Sequence, residues 1–316
     1  MTSFYHPRKA NNLHVPHILG LTASPVMRSS TTSLGKIEDT LDAICRTPTK
    51  HRAELRLQVK RPALLQIYYK TELQSELTKS LKTLASVYHS LDIEADPYVQ
   101  QLRKDETEMG QTNLYKTRLN RKTWCQDQLK SLHATSLRVY AELGEWAADY
   151  YVAEVITNYL KKAEQNTGWG AWDISSAEQN YVENALRKVD LNSSVKDFTD
   201  RGTDYKVSDK VIKLIETLLQ QPVKPSGIVF VQERATAAML CSILTFHPDT
   251  RDKFRVGTMV GTAASSKRTG VISELVGIDS GKDILSRFRS GYIDLLIATS
   301  VLEEGVSFLL PYPLQS

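Results

Sequence analysis

Apolar and polar positions change their period three times along this chain. The run Ile18–Thr22 is compact and apolar, and Pro25 follows closely; because proline disfavours helix at the residue before it, Ser24, the pattern predicts a short buried strand ending in a turn at residues 18–22. Leu34, Ile37, Leu41 and Ile44 then recur at helical spacing, and "AELRLQVKRP" alternates as a brief strand or extended connector ending at Pro62.

From about residue 70 to 192 the period is helical. Leu73, Leu77, Leu81, Leu84, Tyr88 and Leu91 form one stripe, and further helices are predicted over 112–142, 145–165 and 176–189. Ser175 and Glu178 have the spacing of a capping box at the start of the last.

Near residue 207 the pattern changes again. Ser208 is placed to cap a helix carrying Val211, Ile212, Ile215, Leu218 and Leu219, with Val207 and Ile212 spaced as a hydrophobic staple and Pro222 ending it. Thereafter "GIVFV", "RVGTMV" and "IDLLIAT" read as strands, separated by the amphipathic helix "RATAAMLCSILTF" and the helix "KDILSRFRS". Alternation of this kind predicts a parallel sheet with helices packed on it.

Composition narrows the picture only a little. A chain of 316 residues with 41% apolar residues supplies ordinary globular cores, and a net charge of +4 is too small to indicate a polyanionic partner unaided. Cys45, Cys125 and Cys241 are odd in number and far apart, which points to a reducing, intracellular setting. No leader-like apolar region or membrane-spanning run is expected. His14-x-x-His17 has Pro16 inside it and no third ligand nearby, so no metal site is expected.

Candidate chemistry sits at strand ends. In "LLIATSVLEEGV" a buried strand runs into Thr299 and Ser300, where hydroxyls either cap the following turn or present a phosphate site. "GIVFVQERATA" repeats the design: Gln232, Glu233 and Arg234 form either a surface turn or a phosphate contact through the arginine. The basic loop "GTAASSKRTG" is a solvated loop or a weaker nucleic-acid candidate. "GIDSGKD" has three residues between its glycines and Asp283 after Lys282, so it is not a working phosphate loop. Trp169 and Trp172 either plug an interhelical gap or stack on bases.

Taken in order, these pieces resemble a superfamily-two RNA helicase, and in particular the helicase region of fungal Dicer-like ribonucleases. "GLTASPV" resembles the third helicase motif, "GIVFVQERATA" the fourth and "LLIATSVLEEG" the fifth, and connecting text such as "VMRSS" and "LSRFRSGYIDLLIATSVLEEG" is similar as well. The resemblance implies an α/β fold of incomplete RecA-like lobes separated by an all-α helical insertion: the end of a first lobe over 1–50, the insertion over 51–206, and a second lobe over 207–316. It implies that Thr22, Ala23, Ser24, Glu304 and Gly305 couple to ATP, and that Gln232, Arg234, Thr299 and Ser300 hold RNA.

The family's phosphate loop, its Asp-Glu-x-His magnesium motif and its sixth motif do not occur in this sequence, and Ser307 stands where the family places an Asp. Catalytic residues are therefore not assigned. ATP and Mg2+, and Mg2+ or Mn2+ for the nuclease, are cofactors of the full-length family that this chain is not expected to retain. The implied setting is intracellular, cytoplasmic or nuclear, with double-stranded RNA and the remainder of a Dicer-like protein as partners in RNA silencing and antiviral defence. Two readings stay open: an incomplete piece of such an enzyme, inactive alone, and a non-catalytic RNA- or protein-binding helical module.

Overall fold

The structure, a computed structural model, describes residues 4–16, 32–45, 53–54, 63–71, 76–164, 174–191, 207–221, 225–260, 272–276 and 283–299. The chain divides into two compact units, residues 1–66 and 67–316.

In the first unit, α1 (Tyr5–Ala10) and α2 (Thr32–Leu41) are joined through Asp42. Tyr5 Oη donates to Asp42 Oδ2 over 3.0 Å, and Lys9 pairs with the same carboxylate. The Lys9 bond and then the Tyr5 bond hold the Asp42 carboxyl below its ordinary pKa. The helical spacing from Leu34 is realised in α2, while α1 carries no periodic signal in its six residues. The strand expected at 18–22, with Thr22, Ala23 and Ser24, lies outside the described residues. Residues 53 and 54 are helical, at the start of a segment whose alternation predicts extended chain; the rest of that segment lies outside the described residues.

The second unit opens with helices. Thr78 caps α3 (Lys79–His89) and also donates to Asp149 Oδ1 at 2.5 Å. A 3-10 turn (Ile93–Ala95) leads into α4 (Pro97–Arg103), α5 (Glu108–Asn120), α6 (Trp124–Leu143), α7 (Glu145–Glu164), α8 (Ser176–Leu186) and α9 (Asp209–Leu219). The single helix expected over 112–142 is two. Arg121 adopts the left-handed conformation at the end of α5 (φ 47°), and Thr123 accepts from Gln126 N to start α6 afresh. Local polar chemistry overrides the continuous apolar spacing there.

Gly144 alone separates α6 from α7. Its φ of 102° with ψ of −175° is a conformation that suits glycine, and the two helices fold back so that Tyr151 meets Thr135. The reciprocal Ser175–Glu178 capping box at α8 is present. Leu129, Leu132, Tyr151, Val155, Ile156, Tyr159 and Leu186 fill the core between these helices. Ser208 caps α9 as its sequence predicts, and Val207 bridges to Gly144, so the start of α9 is fastened to the α6–α7 corner. Val211 and Ile215 are buried, but Ile212 is 41% exposed, leaving the buried stripe of α9 narrower than the sequence implies.

Three strands follow: β1 (Gly227–Val231), β2 (Val256–Met259) and β3 (Leu295–Thr299), all parallel, in the order β1-β3-β2. Helix α10 (Arg234–Phe246) connects β1 to β2, and α11 (Ile284–Arg289) precedes β3. Central β3 is buried at every position, which suits its unbroken apolar sequence. Helix α10 packs on the sheet with one side and on α6 and α7 with another, and it is buried from Ala235 to Leu240. Helix α9, helix α10 and the sheet face it covers thus share one main core with the helices before them, while Ile284 and Phe288 of α11 pack with Ile293 and Leu296 as a second cluster. This is the α/β arrangement with an adjoining helical block that the sequence predicts.

Candidate nucleic-acid interface

A parallel sheet places all strand carboxyl ends at one edge, where backbone groups and loop side chains are free to meet a ligand. Here Val231, the last residue of β1, is in register with Thr299, the last residue of β3. Gln232 and Arg234 leave β1 at that edge, so three of the four RNA-holding residues expected from sequence lie at one end of the sheet. Gln232 is exposed, Arg234 is half-buried, and Thr299 is buried. Gln232 therefore offers the most accessible polar side chain of the three. Ser300, Glu304 and Gly305, the basic loop 261–270, and Trp169 with Trp172 lie outside the described residues, as does all of "GIDSGKD" but Asp283.

Glu233 precedes α10 and makes no side-chain cap; its carboxylate is turned to Arg138 of α6, 2.6 Å from Nε. Both side chains are part-exposed, so the pair orients groups more than it stabilises the fold. Beside it lies a cleft of about 570 Å³ lined by β1, α9, α10, the end of α6, Ile67 and Tyr69. Val229, Phe230, Val231 and Leu214 give it an apolar floor, and Arg138, Lys210 and Lys213 bring cations to its rim. Lys210 pairs with Glu142 and Lys213 with Glu216 at 2.8 Å.

Arg138 reaches further inward. Its Nη2 donates to Thr135 Oγ1 over 3.0 Å, the Thr135 side chain adjoins the Tyr151 phenol, and Tyr151 Oη donates to the Ser273 carbonyl at 2.7 Å. Burial pushes the Tyr151 phenol well above its ordinary pKa, so it remains a neutral donor. Around Ser273, Gln128 Oε1 accepts from Ile272 N at 2.7 Å, Ser131 and Ser273 hydroxyls are 2.9 Å apart, and Asn158 Nδ2 donates to the Leu275 carbonyl at 2.8 Å.

The role of Arg138 is invisible to motif reading, because its partner Glu233 is far away in sequence and α6 reads as an ordinary helix. The only trace is that Glu233 stands between Gln232 and Arg234 in "QER". Among the described residues no group of three or more His, Cys, Asp or Glu side chains is placed to hold a metal ion, and no helix is long and apolar enough to cross a membrane. Cys125 and Cys241 are buried or half-buried thiols; burial pushes the pKa of Cys241 up to about 11, so it is a poor nucleophile.

No family model matches the chain. It is 38% identical to Dicer-like protein 2 of Neosartorya fischeri over 312 residues, which are 97% of this chain and 22% of that protein. Dicer-like protein 2 of Cryphonectria parasitica is 39% identical over 311 residues, again 97% of this chain and 21% of the relative. The chain thus spans about a fifth of the length of these curated relatives. Among solved structures, the helicase domain of Hef from Pyrococcus furiosus aligns over 92% of this chain and 56% of its own, with 16% identity and a TM-score of 0.32. Over nearly all of its length, this chain is similar in sequence to one segment of the fungal Dicer-like proteins.

Proposed function

We propose that this chain is part of the helicase region of a Dicer-like protein, and that the carboxyl edge of its sheet holds the backbone of double-stranded RNA. One observation carries the reading: the Val231–Thr299 register, which puts Gln232, Arg234 and Thr299 at a single edge. The N-terminus of α10 opens at the same edge, adding backbone N–H groups and a partial positive charge suited to phosphate. Ser300 is the fourth member of the set by sequence. Recognition of this kind reads phosphates and 2′-hydroxyls rather than base edges, so it is independent of sequence and weakened by salt.

In this reading a role in RNA silencing and antiviral defence belongs to the larger protein, with ATP and Mg2+ serving the complete helicase. Thr22, Ala23, Ser24, Glu304 and Gly305 are the residues that would couple to the nucleotide by resemblance. Phosphoryl transfer needs positioned Lys, Mg2+ and Arg groups around the γ-phosphate, and this sequence offers no phosphate loop to gather them. The 316-residue chain alone is therefore expected to release no phosphate from ATP, with or without RNA.

Fluorescence anisotropy with two double-stranded RNAs of unrelated sequence tests the reading. Both should bind alike, with log K falling linearly as log salt rises. Gln232→Glu, a change at an exposed side chain, should weaken both by placing a negative charge against phosphate. Absence of binding at low salt, or an affinity untouched by that substitution, would overturn it.

A further inference from the structure

A line of polar side chains from Glu233 to Ser273 runs between two loops of the α/β part through the helical block. Glu233 follows β1; residues 272–276 lie between β2 and α11. Between them stand Arg138, Thr135 and Tyr151, two residues of α6 and then one of α7: Arg138 bonds to Glu233 and to Thr135, Tyr151 bonds to Ser273, and the Thr135 and Tyr151 side chains lie against each other. The far end is held by more than one contact. Four polar groups of α6 and α7, from Gln128, Ser131, Tyr151 and Asn158, meet three residues of this short strap, Ile272, Ser273 and Leu275, and the Ile272 side chain is fully buried.

Such density is more than burial of a short segment demands. Ile272 and Val276 supply the apolar anchor, whereas the polar groups fix where the backbone sits along the α6–α7 groove: a hydrogen bond fails when its partners slide by an ångström, and an apolar contact does not. In a low-dielectric surrounding these bonds also lose most when one member is left without its partner.

We infer that Arg138, Thr135 and Tyr151 are a relay that locks the loop after β1 to the strap 272–276, and that Arg138 is a positioning residue for the candidate nucleic-acid edge. Arg138 holds Glu233 between Gln232 and Arg234, and so sets where those two side chains stand without touching the RNA. Movement at either loop is transmitted through α6 to the other. The mechanical coupling is independent of any ligand; its bearing on RNA rests on the function proposed above.

The two parts are tested separately on the full chain. Hydrogen exchange without RNA tests the coupling. Tyr151→Phe, which keeps the ring and removes the hydroxyl, should speed exchange at 272–276 by about fivefold, the factor expected for one lost buried hydrogen bond. Arg138→Gln should also speed exchange at 272–276, although Arg138 makes no contact there. Exchange that changes only beside each substituted residue would overturn the relay.

Anisotropy with double-stranded RNA tests the positioning role. Arg138→Gln and Glu233→Gln should each weaken binding several-fold, the double variant should be little worse than either, and the slope of log K against log salt should stay as in the parent. A slope shallower by about one, with Glu233→Gln binding more tightly, would make Arg138 a phosphate contact and overturn its positioning role. Thermal melting accompanies every variant; if Arg138→Gln unfolds the chain, Arg138→Lys removes the fork while keeping the charge. A chain that binds no RNA refutes the proposed function and with it the positioning role, while the exchange data still decide the relay.

Discussion

Asp96 is a fully buried carboxylate that caps α4 through Tyr98 N at 3.0 Å and accepts from Thr123 Oγ1, the cap of α6, at 2.6 Å. Burial raises its pKa, and the hydrogen bonds only partly offset that. The native state then keeps its proton to higher pH than the unfolded chain does. Stability should therefore fall as pH rises from about 3.9, the unfolded value, through the raised native one, and level off above it. Asp96→Asn, a comparable cap, should remove this component, which chemical denaturation at several pH values would detect. Gly110 is equally constrained. A Cβ there would lie 2.3 Å from Asp105 Cγ, so Gly110→Ala must eject the side chain that accepts from Thr107 N and Oγ1. A loss of about 1–2 kcal/mol on denaturant unfolding is expected. Neither constraint shows in the sequence, because each depends on a neighbour placed by the fold.

Elements were legible where local chemistry and periodicity agree. The three strands, α10 and α11 follow from apolar runs bounded by polar turns, and Ser208 and Ser175 mark helix starts by their own hydroxyls. Legibility fails where a single residue's backbone decides the outcome. Arg121 breaks an apolar spacing that continues on either side, and Gly144 turns two twenty-residue helices back on each other in one step. Gly144→Ala should cost about 1–3 kcal/mol because its φ of 102° is strained for any side chain. Its thermal melting should suffer more than that of Ser175→Ala, which loses a cap worth about 1 kcal/mol. At the candidate edge the strand-end residues could be named in advance, since Gln232, Arg234 and Thr299 end recognisable strands. Arg138 could not, since nothing about a helix-borne arginine tells which distant loop it will meet.

Over the whole second unit, the helical block and the sheet are interleaved. Helix α10 looks amphipathic in sequence, yet Ala235, Ala237, Ala238, Met239, Leu240, Ile243 and Leu244 are all buried, because α6 and α7 cover what the sheet leaves bare. A helix apolar nearly all round needs neighbours on every side. The unit should accordingly unfold in one cooperative transition, with near-ultraviolet and far-ultraviolet circular dichroism superimposing; separate transitions would mean that the block and the sheet hold themselves up independently.

The interleaving bears on how this region could be taken apart. The obvious place to cut is near residue 207, where the sequence changes from helices to alternating strands. Severed there, the sheet would carry α10 away with its outer side stripped of α6 and α7, and the helices would be left with a greasy scar and four polar arms reaching for a missing strap. Each half should clump when produced alone and regain solubility when the two are made together, a complementation that gel filtration of the co-expressed halves would reveal.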